Sequence, residues 1–359
     1  MTTLRDDSEL IWSNLKTLQD DYHDYNLPVI PALPAPTALD FSKHVVRGLP
    51  VVYDIYAGTE GSTTAGRPWR ACSWTADDLQ GKVKDVVEVA LTPHGNADAL
   101  VDLQLDDVCA AGKDEDRVFV QPASQMMKIS DLLHELTPRP GDDEEVGALV
   151  RYLQSQNSNL DTPEFSILRK DLPDNFDFAA AVLGEPDARN IWIGNHRSVT
   201  SVHRDPYENL YLVLRGSKTF RLWAPVDEVS MPTRMVKTGR YVHRQGPEGD
   251  AFDVVLDDDT DAIPWVDLDP LSPDFVDPGS MRSVTVMQGQ MLYLPSGWYH
   301  HVSQECGQWD DGCPAPCIAV NYWYDMDYEG ERYVMRQLLG RLVAAARGQL
   351  GGSQTIACK

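Results

Sequence analysis

Residues 190–223 read NIWIGNHRSVTSVHRDPYENLYLVLRGSKTFRLW, and the fold turns on how this stretch is parsed. His203 and Asp205 stand two positions apart in it. Strand side chains alternate, so an H-x-D pair on a strand sends both groups to one face. There one imidazole nitrogen and one carboxylate oxygen can hold a single metal ion. The later segment Trp298-Tyr299-His300-His301-Val302 can supply a second imidazole. Alternation groups His300 with Trp298 and Val302, and His301 with Tyr299 and Ser303. It does not say which group faces inward. A bare H-x-D is a weak signal, since most such pairs are surface or capping residues.

The neighbourhood adds weight. Glu208 to Arg215 (ENLYLVLR) reads as a buried strand rich in Leu, Val and Tyr. Gly216-Ser217 signals a turn into a second strand, Lys218 to Trp223. Lys218, Phe220 and Leu222 share one face of that strand; Thr219, Arg221 and Trp223 share the other. A buried lysine needs a partner. A ligand carboxylate inside a barrel would supply one, and a lysine solvated at the start of the strand is the equal alternative. Two histidines and one carboxylate with open positions form the facial triad of non-haem Fe(II) oxygenases.

These features resemble the core of the jumonji-C (JmjC) 2-oxoglutarate oxygenases. The likeness includes the H-x-D, a lysine fifteen residues after its His and a Thr three residues before it. It extends to Met291-Leu292-Tyr293-Leu294-Pro295, to Trp298-Tyr299-His300-His301 and to Asn321-Tyr322-Trp323-Tyr324. Further blocks are LTPHGNADA (91–99), YLQSQNSNL (152–160) and PWVDLDP (264–270), so the resemblance covers roughly residues 28 to 345. Within the superfamily the chain is most similar to a lysyl (3S)-hydroxylase branch. The resemblance implies a mainly β fold with flanking helices, a double-stranded β-helix of the cupin/jelly-roll type. Short strands with turn signals, preceded by helices, fit that class.

The resemblance also implies the site. His203, Asp205 and the first histidine of the pair, His300, would bind Fe(II). The 2-oxo acid end of the cosubstrate 2-oxoglutarate would reach the iron, with O₂ to follow. Lys218 would hold the far carboxylate, with Thr200 and Tyr152 donating hydrogen bonds. Asn209 and Asn321 match positions near cosubstrate and metal; as plain residues they are core amides, just as Tyr152 is a core tyrosine. The implied reaction hydroxylates a lysine of a protein partner, a developmentally regulated GTP-binding protein, and yields succinate and CO₂. Two other readings share the motif. One is a JmjC histone lysine demethylase, against which the chain shows neither zinc reader clusters nor a basic patch. The other is a non-catalytic metal-binding cupin scaffold, against which stands the complete set His203, Asp205, His300 and Lys218.

The chain has 359 residues and a formal net charge of −24. Such acidity argues against sequence-independent binding to a phosphate backbone. It favours solubility and can steer a cationic protein or peptide. Residues 1–20 lack an apolar leader segment, and no run of about 18 apolar residues marks a membrane span. The six cysteines form no paired framework. Cys306, Cys313 and Cys317 lack the spacing of a zinc site and read as thiols in a reducing compartment. The expected location is the cytoplasm, with the nucleus as a second.

In chain order, residues 3–19 form an amphipathic helix with Leu4, Leu10, Ile11, Leu15 and Leu18 on its apolar stripe. Four prolines make 27–37 an extended linker. Residues 1–40 are thus an N-terminal helix and linker, and 41–328 are the catalytic domain, with its barrel core from about 146. Thr75 caps a helix with an acidic first turn, and Ser130 caps another. Residues 225–278 read as a long irregular insertion. Residues 329–347 form a terminal helix, with Tyr333, Leu338, Leu342 and Val343 on its apolar side, suited to homodimer formation; a polar tail follows.

Overall fold

The computed structural model describes residues 2–55, 69–103, 117–138, 149–154, 158–246, 249–258 and 260–348. The expected polar tail beyond 348 lies outside these residues.

Two sheets form the core. The larger has six strands in the order Ala32–Pro34, Val51–Asp54, Gln290–Leu294, Tyr207–Arg215, Cys317–Asp325 and Ala188–Gly194. The smaller has five, in the order Arg282–Met287, Ser217–Trp223, Tyr299–Glu305, Val199–Arg204 and Asn96–Ala97. Their inner faces share one apolar cluster: Trp192, Tyr211 and Leu292 from one sheet pack with Phe220, Leu222 and Val302 from the other. This is the expected double-stranded β-helix.

The turn at Gly216 carries the chain from the first sheet to the second. Its φ is +73°, and a β-carbon there would lie 2.3 Å from the Glu305 carbonyl oxygen, so only glycine fits. Tyr207–Arg215 and Ser217–Trp223 therefore form a corner between sheets and do not pair with each other.

Tyr207–Arg215 is buried on both faces, apart from its first residue, which explains its unbroken apolar run. Outside the larger sheet, Phe41 of helix Ala38–Arg47, Leu79 of Ala76–Lys82, Leu132 of Ile129–Leu136 and Ala179 of Asp177–Leu183 join one cluster with Tyr53, Leu210, Tyr293 and Tyr322. Phe41 meets Tyr293 edge-to-face at 5.1 Å. Burying such a ring contributes about 1.5–3 kcal/mol. Thr75 caps its helix in a reciprocal box with Asp78, as its sequence suggests. The next helix starts at Ile129, with Lys128 at the cap position and no side-chain bond there.

Several boundaries differ from the sequence reading. The first helix runs Thr2–Tyr25. Its Ile11, Trp12 and Leu15 pack on Val229, Leu342 and Val343, while Leu10 and Leu18 are 64% and 49% exposed. The buried stripe follows the C-terminal helix Glu331–Ala346, a partner invisible from local periodicity. In that helix Val343 is buried, whereas Leu338 is exposed. The proline-rich linker contributes Ala32–Pro34, which pairs in parallel with Val51–Asp54. That strand and Asn96–Ala97 bring the barrel material from well before residue 146.

The insertion at 225–278 is regular. Thr233–Val236 pairs with Ile263–Val266, and Thr238–Gly246 with Gly249–Leu256. Thr238–Gly246 also runs parallel to the distant Arg117–Gln121. These strands keep much of their surface in water, so they lack the apolar alternation that marks a strand in sequence.

A polar latch sits just after Trp223. Asp227, fully buried, accepts hydrogen bonds from Gln19 Nε2 and the Ala224 amide, and lies 2.7 Å from His23 Nε2. Arg347 donates to the carbonyls of Glu228, Val229 and Met231. Both terminal helices are thereby fastened to one turn beside the smaller sheet.

Candidate metal and cosubstrate site

Strand Tyr299–Glu305 lies between Val199–Arg204 and Ser217–Trp223. His203 is in register with His300, and His300 with Leu222. Val302 is in register with Phe220, and Gln304 with Lys218. Alternation then aims His300, Val302 and Gln304 at the interior. His301 goes to the other face, opposite Arg221. It is buried, and neither ring nitrogen meets a partner among the described residues.

The strand of His203 ends at Arg204, so Asp205 stands just past it. Its carboxylate nevertheless turns to the same side as His203. Simple alternation reached the right face, but the turn before Tyr207 places the group. Asp205 Oδ2 lies 3.7 Å from Nε2 of both His203 and His300. One donor atom from each of these residues falls within 4.8 Å of the others; among the described residues they are the group with this geometry, and the Cys306–Cys317 loop offers none.

The histidines are oriented from behind. Nδ1 of His203 is 2.8 Å from the Ser201 carbonyl, and Nδ1 of His300 is 3.0 Å from the Trp298 carbonyl. A carbonyl oxygen only accepts, so each Nδ1 carries the proton and each Nε2 keeps a free lone pair. Two bonds of about 2.1 Å opening 90–120° separate their donors by roughly 3.0–3.6 Å. A separation of 3.7 Å needs only a slight contraction. The donor set fits a divalent cation.

The charges agree with that fit. Burial, then the neighbouring His203, pushes His300 down to about 4. Burial opposes charge on His203 too, yet Asp205 beside it raises its pKa above the ordinary value. Burial likewise opposes the Asp205 carboxylate, but the two imidazoles hold its pKa below the usual range. The cluster thus keeps a buried anion that one cation can share.

The cavity behind these three is lined by Tyr152, Trp192, Thr200, Tyr211, Phe220 and Val302. Lys218, 1% exposed, packs against Tyr152 and Tyr211 of this lining, so the solvated alternative does not hold. Its Nζ donates to the Tyr152 hydroxyl at 2.9 Å and sits 5.1 and 5.8 Å from the Tyr152 and Tyr211 ring centres. Among the described residues no carboxylate forms an ion pair with it. A buried ammonium held only by a hydroxyl and two ring faces suits an anionic guest.

Asn209 and Asn321 also line the cavity. Asn321 donates to Asn209 Oδ1 at 3.2 Å and accepts from Trp192 Nε1 at 2.8 Å. Its amide is therefore engaged at both ends, as a structural amide would be. Trp323 of the lining stacks on Tyr207, with ring centres 5.0 Å apart and planes 7° apart. Asp325 is in register with Tyr207, and the Asp187 amide bonds the Trp323 carbonyl.

Sequence reasoning missed Asp98 and Gln304. Asp98 holds a left-handed φ of 53°. Burial raises its pKa, against the effects of nearby His203 and a hydrogen bond with Gln154. Nothing local signals that conformation. Gln304, by contrast, is reached by counting two positions on from Val302.

Comparison with known proteins agrees with this architecture. A family model for the cupin-like domain matches residues 36–330. The human bifunctional peptidase and (3S)-lysyl hydroxylase JMJD7 is 38% identical over 269 residues, which span 72% of this chain and 74% of the relative. JmjC domain-containing protein E of Dictyostelium discoideum is 31% identical over 322 residues, 85% of this chain and 86% of the relative. The lysine-specific demethylase JMJ32 of Arabidopsis thaliana is 35% identical over 258 residues, 68% of each chain. With the barrel, the family match and these relatives in agreement, the chain belongs to the cupin-like JmjC family.

Proposed function

We propose that this protein is an Fe(II)- and 2-oxoglutarate-dependent protein hydroxylase that modifies a lysyl side chain. The observation that carries the reading is Lys218: a buried ammonium with no carboxylate partner among the described residues, packed on Tyr152 and Tyr211, which line the cavity of His203, Asp205 and His300. Along the strand, Gln304 opposite Lys218 is four residues from His300. That is roughly 13 Å, more than a lysine side chain spans alone. A short dicarboxylate would bridge the remainder.

His203, Asp205 and His300 hold the iron, whose chemistry, when bound, is to use O₂ and the 2-oxo acid to place one oxygen atom on a substrate C–H, with succinate and CO₂ as products. The protein's own groups do the rest. Lys218 and Tyr152 bind the far carboxylate, and Thr200 lines the path between. Phe220, Val302 and Trp192 keep water from the reacting centre. Trp323 lines the cavity with Tyr207 stacked on it, and the carboxylates of Asp187 and Asp325 act on Tyr207, an aromatic and acidic setting suited to a cationic side chain. The substrate assignment follows the human relative's lysyl hydroxylase name. A GTP-binding protein is the proposed partner.

A hydrolytic role, also in that relative's name, leaves the buried Lys218 without a task. A demethylase would use the same site, and the Arabidopsis relative carries that name. Incubating the protein with Fe(II), ascorbate, 2-oxoglutarate and lysine peptides from GTP-binding proteins separates these readings. Succinate release with a gain of about 16 Da, one oxygen atom, supports hydroxylation. Formaldehyde release from methyl-lysine peptides supports demethylation, and succinate-free turnover sinks both. We further propose homodimer formation through the C-terminal helix, where Val334, Met335 and Leu338 are exposed, and a cytoplasmic or nuclear location. Light scattering before and after deletion of residues 331–359 tests the dimer.

A further inference from the structure

Beyond Val302, the next inward position on strand Tyr299–Glu305 is Gln304, directly opposite Lys218. Gln304 is 3% exposed, and neither Nε2 nor Oε1 meets a hydrogen-bond partner among the described residues. An amide offers two donors and an oxygen with two lone pairs, and leaving them all unanswered in the interior is costly. The fold makes room for this arrangement. A β-carbon built on Gly194 would lie 2.3 Å from Gln304 Nε2 and 2.7 Å from Tyr152 Cδ2. The missing side chain at Gly194 lets Gln304 and Tyr152 come together at the deep end, beside the Lys218 ammonium.

We propose that Gln304 is the far wall of the dicarboxylate cavity. Its amide N–H donates to the carboxylate held by Lys218 and Tyr152, and its length sets how long an acid fits. Three neutral or cationic donors on one small anion give more directional hold than the ammonium alone. The same amide blocks one extra methylene. The proposal rests on reading the cavity as a 2-oxoglutarate site, and it makes Gln304 a binding and specificity residue of that site.

The test is calorimetric titration of the full chain, loaded with Mn(II), with 2-oxoglutarate and with 2-oxoadipate, one carbon longer. Gln304→Met keeps the length and removes the hydrogen bonds. We expect 2-oxoglutarate affinity to fall about tenfold, with Mn(II) affinity unchanged. Gln304→Ser opens the end of the cavity. We expect its preference for 2-oxoglutarate over 2-oxoadipate to shrink at least about tenfold. Unchanged affinity in Gln304→Met overturns the hydrogen bond, and unchanged preference in Gln304→Ser overturns the length selection. A wild-type chain that binds Mn(II) but neither acid overturns the cosubstrate reading itself. Circular dichroism on each variant identifies unfolding, in which case Gln304→Leu replaces Gln304→Met, and Gln304→Asn, shorter by one methylene, replaces Gln304→Ser, with the same outcomes expected.

Discussion

His203 and His300 occupy paired positions on antiparallel strands, with ring centres 4.1 Å apart, and each ring faces the carbonyl two residues before it through Nδ1. The same local device thus orients both imidazoles, and Asp205 completes the set from outside the strand. Asp205→Asn keeps the shape and removes the charge. Mn(II) affinity should fall by at least about 100-fold, since even outer partners of a metal ligand cost 10–100-fold. Electron paramagnetic resonance of free Mn(II) measures this. Wild-type protein at 100 times its Kd should gain about 2.7 kcal/mol of stability from the ion. At the same ion concentration Asp205→Asn should gain at most about 0.4 kcal/mol, and an equal gain in both would place the metal elsewhere.

Lys218 gives a prediction with two opposite signs. It is buried against the rings of Tyr152 and Tyr211, with a hydroxyl as its hydrogen-bond partner. Lys218→Met keeps the stem and removes the charge. Unliganded protein should become more stable by about 1–2 kcal/mol, because a buried charge without an ion partner is replaced by an apolar end. Binding of 2-oxoglutarate should be lost in the same variant. Urea unfolding and calorimetry read the two effects. Destabilisation together with intact binding would mean that the lysine serves the core alone.

The legible parts of this molecule were those written in short-range pattern. H-x-D, the alternation of Lys218, Phe220 and Leu222, and the apolar strand 208–215 carry the barrel and its inner face within one stretch. Pairings between distant segments were not legible. Nothing near residues 238–256 points to Arg117–Gln121 as a sheet neighbour. The first helix buries Ile11, Trp12 and Leu15, and leaves Leu10 and Leu18 in water, because its partner is the chain's last helix. Asp205 shows the middle case: alternation predicted its face, although the residue lies in a turn where alternation no longer applies. The His300/His301 choice was open on pattern and became geometric only when register with His203 was known.

His301 should shape the acid limb of stability. It is 2% exposed, and burial followed by Arg221 pushes its pKa down to about 3. In the unfolded chain it titrates near 6.5. Below that pH the unfolded state binds a proton that the folded state refuses, so stability falls as pH drops from about 6.5 toward 3. His301→Leu removes this contribution and the two unpartnered nitrogens. In EDTA, the variant's advantage over wild type should grow between pH 7.5 and 5.5, by at most about 1.4 kcal/mol per pH unit. Urea midpoints at both pH values give the answer. A constant difference would show that His301 is hydrated in solution.

Asp227 is the place to separate scaffold from chemistry. Its carboxylate joins Gln19 and His23 of the first helix to the Ala224 amide. Gly279 packs so closely that a β-carbon there would lie 2.6 Å from Oδ1. Asp227→Ala therefore strands several buried donors at once. Removing one partner of a buried polar pair costs about 3–5 kcal/mol, but His23 keeps some access to water and can recover part of its solvation. A loss of roughly 2–3 kcal/mol is expected. The loss should centre on the first helix, whose other contacts include the terminal helix, Tyr22 on the inner barrel cluster and the Asn26 carbonyl that Arg282 donates to. Limited proteolysis should cut within residues 2–25 far sooner in the variant, while Mn(II) affinity, set by His203, Asp205 and His300, stays within about twofold of wild type. If metal affinity falls in step with helix release, the helix supports the site directly and the latch is part of the catalytic scaffold.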